Sequence, residues 1–336
     1  MNTKADNGVS QSKKPILALG ELLIDLIPCT DGMRIEQAGS VIKATSGSAG
    51  ITACMTTRLG GNGGFIGKVG RDSLSQLATS SLSAECVDMS HTIVSDEGQI
   101  GLAFLEYLPE GRNYQYYRTG SVGSKLRAED LDEGYIASAY IVHFPGMLLE
   151  LNEDMRSACQ QLVAFAKKHG VMVSFDPNIR REIFSDGEAF HRMLWAISNS
   201  DLIAPTLEEG RIITGEQTVG NVLRALHAMG PRTIALTCDE NGCMISRDGY
   251  VAIADGISVD VVDPTGAGDA LAAALCVGSQ EGMSLEQLAE FCNCTGTLVC
   301  MRKGAIGMAL PTREQVNEMV ASGICPVHSV TLDALE

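Results

Sequence analysis

The feature that most constrains this chain is a repeated alternation of short apolar segments with amphipathic helical segments. The segments predicted as strands read PILALGELLIDLI, GGFIGKVG, AYIVHFPG, GVMVSFDPN, SDLIAPT and RTIALTCD. LNEDMRSACQQLVAFAKKHG and GNVLRALHAMG have the spacing of helices that cover a sheet. This order predicts an α/β domain with a mostly parallel central sheet between layers of helices. Without an internal repeat or a long linker, one domain over residues 15–326 is expected, after a disordered tail of residues 1–14.

Two regions interrupt this alternation, residues 32–47 and residues 101–121. The second has the pattern of a hairpin, in which Pro109-Glu110-Gly111 forms the turn between two aromatic-rich strands. Strands outside the main sheet need another place to pair, so both regions are predicted to form a small β-sheet lid. Ligands of open α/β sheets bind beyond the carboxyl ends of the strands, where such a lid would cover them.

Composition excludes several classes of function. With 25 Lys+Arg against 41 Asp+Glu, the formal net charge of −16 makes nucleic acid an unsuitable partner. The longest nearly unbroken apolar run, 270–277, is far shorter than a membrane span, and the polar N-terminus does not resemble a signal peptide, so a cytoplasmic location is expected. The 11 cysteines and 6 histidines lack the spacing of a metal site, so reduced thiols are expected.

The stretch VDVVDPTGAGDALAAAL, residues 259–275, carries the strongest chemical signal. Gly266 and Gly268 permit a turn whose N–H groups converge, and the following helix adds its positive N-terminal end, so the turn suits an anion. Asp269 beside it could accept a proton from a hydroxyl that attacks a phosphorus atom. The alternative is an ordinary glycine turn with Asp269 as a helix N-cap.

Other phosphate-binding loops are absent from the sequence. A P-loop would need glycine where Asn62 stands and a hydroxyl residue in place of Val69, and no GxGxxG motif occurs.

Together with further motifs, DPTGAGDALAAAL resembles the C-terminal motif of the ribokinase-like carbohydrate kinases, the phosphofructokinase B family. The other motifs are GELLIDL, RLGGNGGFIGKVGRD, FDPNIR, SDLIAPTLEEGRIITG and RKGAIGMALPT, in the family's order and spacing over residues 15 to about 320. The resemblance implies a three-layer ribokinase-like fold and transfer of the ATP γ-phosphoryl group to a sugar hydroxyl. In such kinases the second acid, here Asp269, is the base and the turn Gly266–Ala267–Gly268 is the anion hole.

The same resemblance implies roles for further residues. Sugar-binding residues would be Asp25, Gly47, Tyr116, Arg118 and Arg180; nucleotide-binding residues would be Thr237, Gly242, Gly266, Gly268 and Asn293; Glu209 would order magnesium-bound water. ATP and Mg²⁺ are the implied cofactors, and a monovalent cation such as K⁺ is compatible with the pattern. For Asp25, the alternative is an exposed loop carboxylate.

Four positions depart from the family pattern. Ile51 replaces a sugar-binding Asn, Thr206 replaces the amide of an NxxE motif, and Asp239 replaces a glycine of the nucleotide motif. Ala103 stands where acid-sugar kinases commonly have a substrate-side tyrosine.

The expected substrate depends on two arginines. Arg118, in a Tyr-Tyr-Arg-x-Gly-Ser pattern similar to 2-keto-3-deoxygluconate kinases, and Arg180 could grip a sugar-acid carboxylate, which favours that substrate. Fructokinases carry comparable arginines, so fructose is the alternative. A nucleoside kinase or a non-catalytic sugar-binding relative would share the fold. A lid of so few strands is marginal alone, so a homodimer built lid to lid is expected, as in many of these kinases.

Overall fold

A computed structural model describes residues 13–109, 111–179, 187–307 and 309–336. The strands, in chain order, are β1 (Ile16–Leu19), β2 (Leu23–Pro28), β3 (Val41–Ser46), β4 (Gly63–Val69), β5 (Thr92–Val94), β6 (Gly101–Leu108), β7 (Gly111–Tyr117), β8 (Ile141–Pro145), β9 (Met172–Asp176), β10 (Leu202–Ile203), β11 (Thr233–Thr237), β12 (Gly242–Arg247), β13 (Tyr250–Asp255) and β14 (Val327–Thr331). The helices are α1 (Ser48–Arg58), α2 (Ser73–Ala84), α3 (Glu133–Ser138), α4 (Glu153–Lys168), α5 (Gly187–Ser198), α6 (Leu207–Thr214), α7 (Val219–Ala228), α8 (Ala267–Gln280), α9 (Leu285–Cys300) and α10 (Arg313–Ala321).

Ten strands form the main sheet, in the order β14-β13-β12-β11-β10-β9-β8-β1-β4-β5. From β11 to β5 all neighbours are parallel, whereas β11 to β14 pair antiparallel. The predicted α/β class with a mostly parallel sheet is therefore confirmed. β14 extends the sheet past residue 326, the expected end of the domain.

Helices cover both faces of this sheet because its strands are apolar on both sides. Along β1, Ile16 and Ala18 belong to one core cluster together with α8, whereas Leu17 and Leu19 belong to the other together with α4. This alternation follows from the two-residue period of a strand. Two separate cores result, one on each side of the sheet.

A second sheet has the order β3-β2-β6-β7, and it contains residues 41–46, 101–108 and 111–117 of the predicted lid regions. It differs from the prediction in two respects. First, PILALGELLIDLI is not one strand but two, because the chain bends after β1 and β2 leaves the main sheet to pair with β3 and β6. Second, within 32–47 only Val41–Ser46 is a strand. Glu110 of the predicted turn lies outside the described residues.

The start of the described chain is packed against α8. Lys13 forms an ion pair with Glu281 at 2.8 Å, and the Lys14 carbonyl accepts a hydrogen bond from Gln280 at 2.9 Å. The predicted tail, residues 1–14, otherwise lies outside the described residues. No helix within the described ranges is long and apolar enough to span a membrane.

Candidate active site

A cleft of about 300 Å³ lies where the carboxyl ends of the parallel strands meet the lid. Residues that follow four neighbouring strands line it: Met147 after β8, Asp176 at the end of β9, Ala204 and Thr206 after β10, and Thr237 at the end of β11. Carboxyl ends of parallel strands share one edge of a sheet, so these residues converge although they are far apart in sequence.

The glycine turn before α8 borders this cleft. Gly266, with a φ of +81°, is the N-cap residue of α8, and Gly266 and Gly268 both line the cleft. The N–H of Ala267 donates to the Pro264 carbonyl at 3.2 Å, which makes it a less available anion donor than expected. A Cβ on Gly266 would lie 3.3 Å from the side chain of Ile51. Ile51, which replaces the family's Asn, therefore packs against the turn. The helix N-terminus thus points toward the cleft with its positive end.

Asp269 lies in the first turn of α8 and lines the cleft. The helix cap is Gly266, so the alternative role of Asp269 as the N-cap is not what the structure shows. The Ser48 hydroxyl donates to Asp269 Oδ1 at 2.5 Å. Ser48 is the first residue of α1, and this contact fixes the orientation of the carboxylate. Sequence reasoning did not single out Ser48.

Gly47 explains how Ser48 reaches this position. Its φ is +115°, and a Cβ there would lie 2.4 Å from the Glu21 carbonyl oxygen. Only glycine fits so close an approach of two backbone segments with positive φ. Gly47 lines the cleft and begins α1 as its N-cap.

Asp25 is a buried carboxylate on lid strand β2, with 3% of its surface exposed, and it lines the cleft. Burial raises its pKa from 3.8 to about 6; a hydrogen bond with Ser46 opposes this rise, and the nearby charge of Asp263 adds to it. The alternative of an exposed loop carboxylate is therefore wrong. A buried carboxylate in a cleft is suited to accept hydrogen bonds from a ligand's hydroxyl groups.

Three side chains of lid strand β7 face the cleft: Arg112, Tyr114 and Tyr116. The rings of Tyr114 and Tyr116 stack with centroids 5.8 Å apart. The Tyr114 hydroxyl lies 2.9 Å from Thr265 Oγ1, and Arg112 Nη1 donates to the same oxygen at 3.1 Å. The sequence predicted Tyr116 but missed Arg112 and Tyr114, which share its strand face at a spacing of two residues.

Arg118 is not among the residues that line the cleft. Its guanidinium is buried, donates to Glu21 Oε1 at 2.6 Å and lies 4.7 Å from the centre of the Tyr116 ring. Burial raises the pKa of Glu21, although Arg118 acts against this rise. The Arg118 guanidinium is thus paired with Glu21 and packed on the ring of Tyr116, so a role in binding substrate stays a prediction. Arg180 lies outside the described residues.

The predicted nucleotide residues are divided. Thr237 lines the cleft, but Gly242 and Asn293 do not. Gly242 is required by the β12–β13 pairing, because a Cβ would lie 2.1 Å from the Ala254 carbonyl oxygen. Asn293 is buried and donates to the Asp255 carbonyl at 2.8 Å and to Cys325 Sγ at 3.2 Å. The roles of Gly242 and Asn293 seen here are structural.

Asp239 is exposed and does not line the cleft. Its φ of +49° is a left-handed conformation that aspartate tolerates better than most residues, which accounts for its replacing a glycine there.

Glu209 lines the cleft, but both of its carboxylate oxygens are engaged. Oε1 accepts from the Ile179 N–H at 2.6 Å, and Oε2 accepts from the Thr206 N–H at 2.8 Å in a capping box of α6. Thr206, the replaced amide position, is therefore the N-cap of that helix. Within the described residues, no group of three His, Cys, Asp or Glu side chains could hold a metal ion.

Comparison with known proteins identifies the family and several relatives of this chain. A model of the pfkB family carbohydrate kinases matches residues 13–313. Fructokinase-2 of Zea mays is 29% identical over 316 residues, which cover 91% of this chain and 94% of the maize protein. The E. coli protein described as ribokinase II, solved with ATP and Mg²⁺, has a TM-score of 0.87 at 24% identity and covers 93% of this chain and 99% of its own. The 2-dehydro-3-deoxygluconokinase of Thermotoga maritima has a TM-score of 0.86 at 22% identity, with 92% and 98% covered. Both structures share the ribokinase-like fold of this chain.

Proposed function

This chain belongs to the pfkB family of carbohydrate kinases and is a sugar kinase, and we propose that its acceptor is fructose or a closely related neutral ketose, with ATP as the phosphoryl donor. The sequence motifs favoured 2-keto-3-deoxygluconate. The relatives at about 30% identity include fructokinases, so fructose is better supported than 2-keto-3-deoxygluconate.

The observation that carries this proposal is the charge of the cleft. Its described lining includes four acids, Asp25, Asp176, Glu209 and Asp269, and a single base, Arg112. Arg112 donates a hydrogen bond to Thr265, beside the glycine turn before α8. Arg118 forms a buried ion pair with Glu21. Among the described lining residues a sugar-acid carboxylate would meet net negative charge, whereas the hydroxyls of a neutral sugar can donate to Asp25.

The chemistry follows from the positions of Asp269 and the turn. Asp269, oriented by Ser48, would accept the proton of the attacking hydroxyl. The N–H groups at Gly266 and Gly268, the positive end of α8 and the Arg112 guanidinium would stabilise charge on the transferred phosphoryl group. Tyr114 and Tyr116 would cover the sugar and exclude water.

The residues present fit a magnesium nucleotide. Mg²⁺ usually keeps several waters and binds through substrate phosphates with one or two carboxylates, so the lack of a three-ligand cluster in the described chain is compatible with it. Asp176 would hold its water shell together with Glu209, whose Oε1 accepts one hydrogen bond from Ile179 and has a second lone pair. When bound, the ion would neutralise phosphate charge.

A panel of acceptors assayed for ATP turnover tests the proposal: fructose, 2-keto-3-deoxygluconate, ribose, glucose and adenosine. We expect fructose to give the highest kcat/KM. A preference for 2-keto-3-deoxygluconate would overturn the choice of a neutral sugar. No turnover on any acceptor, with sugar binding intact, would point to the non-catalytic relative instead.

A further inference from the structure

A cavity of about 150 Å³ lies between helices α4 and α5. Among the described residues it shares no lining side chain with the cleft. α4 contributes two residues that are four apart, and α5 contributes three residues within about one turn, because residues at these spacings lie on the same face of a helix. The residues that line the cavity are Leu149, Arg156, Gln160, His191, Arg192 and Trp195.

The charge of this lining is opposite to that of the cleft. The described residues around the cavity include the guanidinium groups of Arg156 and Arg192 and the imidazole of His191, and they include no acid. The cleft, in contrast, is lined by four acids and one base. In a chain with a formal net charge of −16, a cavity lined by cationic groups is a place where the local field favours an anion.

Both guanidinium groups are held in place by hydrogen bonds. Arg192 donates to the two carboxylate oxygens of Glu150, from Nε at 2.7 Å and from Nη2 at 2.5 Å. Arg156 donates from Nε to the Leu149 carbonyl at 3.1 Å and from Nη1 to Glu153 at 2.6 Å. Neither glutamate is among the described residues that line the cavity. The two cationic groups are therefore already oriented before a ligand arrives, which lowers the cost of binding.

Arg156 has the capacity to bind a further group. A guanidinium carries five N–H donors, and the two bonds to Leu149 and Glu153 use two of them. Its Nη2 has no hydrogen-bond partner among the described residues. Because Glu153 is 79% exposed, its ion pair with Arg156 contributes little, and an anion in the cavity could take its place at small cost.

Trp195 gives the cavity an apolar wall. Its ring lines the cavity together with the side chain of Leu149, which is buried. An indole has an apolar face that packs against carbon atoms, and a single N–H that donates to oxygen. A ligand with an anionic end and a short carbon body would therefore match both parts of the lining.

We propose that this cavity binds a small phosphate compound, either free phosphate or a short phosphate ester. A phosphate monoester carries about −1.5 to −2 charges at neutral pH, and its three terminal oxygens accept charge-assisted hydrogen bonds, which suits donors that come from two helices. A carboxylate has only two oxygens, and one guanidinium fork satisfies both. The proposal goes beyond the activity of the cleft and does not depend on which sugar is phosphorylated there.

The test uses the fluorescence of Trp195, which is the only tryptophan of the chain and therefore reports on this cavity alone. The full-length protein is titrated with inorganic phosphate, glycerol 3-phosphate and malonate at constant ionic strength, with and without a non-hydrolysable ATP analogue and Mg²⁺. We expect both phosphate compounds to change the emission of Trp195, with the same affinity whether or not the analogue is present. Malonate should bind at least tenfold more weakly. Tighter binding of the ester would identify an ester as the ligand, and equal binding would identify free phosphate.

Two variants locate the binding, after their thermal midpoints have shown that they fold. Arg156→Gln should raise the dissociation constant for phosphate about tenfold or more, because one charged donor is lost. His191→Gln changes an exposed residue of α5, keeps the ion pairs of both arginines and should also weaken binding. Arg232→Gln is the matched control, since Arg232 is an exposed arginine whose ion pair with Asp248 lies outside the cavity, and it should bind as wild type does.

Four results would overturn the proposal. The first is no change in emission, and no heat in calorimetry, with either phosphate compound at millimolar concentrations. The second is binding as tight as in wild type in both Arg156→Gln and His191→Gln. The third is displacement of phosphate by the ATP analogue, which would place the phosphate in the cleft. The fourth is malonate binding as tight as that of phosphate. None of these measurements uses turnover, so their failure is distinct from a failure of the proposed kinase activity.

Discussion

Replacing Asp25 with Asn should make the protein more stable and a poorer sugar kinase. Asp25 is buried, and its pKa is raised from 3.8 to about 6, mainly by burial and also by the charge of Asp263. The folded protein at neutral pH therefore holds a carboxylate in an environment that disfavours its charge. Such a cost is understandable if the charge is needed to receive sugar hydroxyls, since Asn has the same shape without it.

The direction of the stability change follows from the raised pKa of Asp25. Below pH 3.8 the carboxyl is protonated in both the folded and the unfolded chain, so its ionisation has no effect on stability. As pH rises from 3.8 to about 6, the unfolded chain loses its proton first, and the stability of the folded chain falls. Above that window the full cost persists, at about 3 kcal/mol as an upper bound from the two pKa values. Asp25→Asn should recover up to this amount at pH 7.5 and little at pH 4.

Urea unfolding at both pH values measures the free energies, and steady-state kinetics measure the KM for fructose. We expect the KM to rise about ten- to a hundredfold, because charged hydrogen bonds to the sugar are lost. Asp333→Asn, at an exposed position near the C-terminus, is the control and should change neither quantity. An equal stability gain at pH 4 and pH 7.5 would refute the electrostatic reasoning. An unchanged KM would remove Asp25 from the sugar site.

Three further outcomes are expected. Asp269→Asn should lower kcat by about 10² to 10⁴, the usual contribution of positioned proton transfer, with sugar binding largely kept; wild-type turnover would contradict its role as base. Arg118→Ala should cost about 3 to 5 kcal/mol in urea unfolding because it leaves Glu21 buried without its partner, whereas Glu21→Gln combined with Arg118→Met should recover most of that loss. A selective rise in KM for acid sugars in Arg118→Ala would instead restore the carboxylate-gripping role. The lid exposes Val41 and Ile42 at 38% and 46%, so light scattering at micromolar concentration should show a dimer that Ile42→Glu dissociates; a wild-type monomer would exclude it.

The main sheet could be predicted from the sequence because its signals are local. Apolar runs alternate with amphipathic helices. The glycines before α8 indicate a turn with positive φ at Gly266 and the start of a helix. Asp269 and Asp25 could be selected for the same reason, since each lies in a short motif at the end of a predicted element. In PILALGELLIDLI the apolar patterns of two strands follow each other closely, so the sequence could not show that β2 leaves the main sheet and joins the lid.

The pairing of side chains across the lid was decided only by the tertiary structure. Arg118 is an apparent substrate ligand in sequence, but the fold brings Glu21, 97 residues away, to its guanidinium. Tyr107 and Asp263 are 156 residues apart, and their contact depends on how the lid sheet rests on the strand ends. Sequence determines which groups a chain offers and the conformations they favour locally. Which buried charge meets which partner is set by long-range packing, and that packing brings four acids and one base, Arg112, together among the described residues of the cleft.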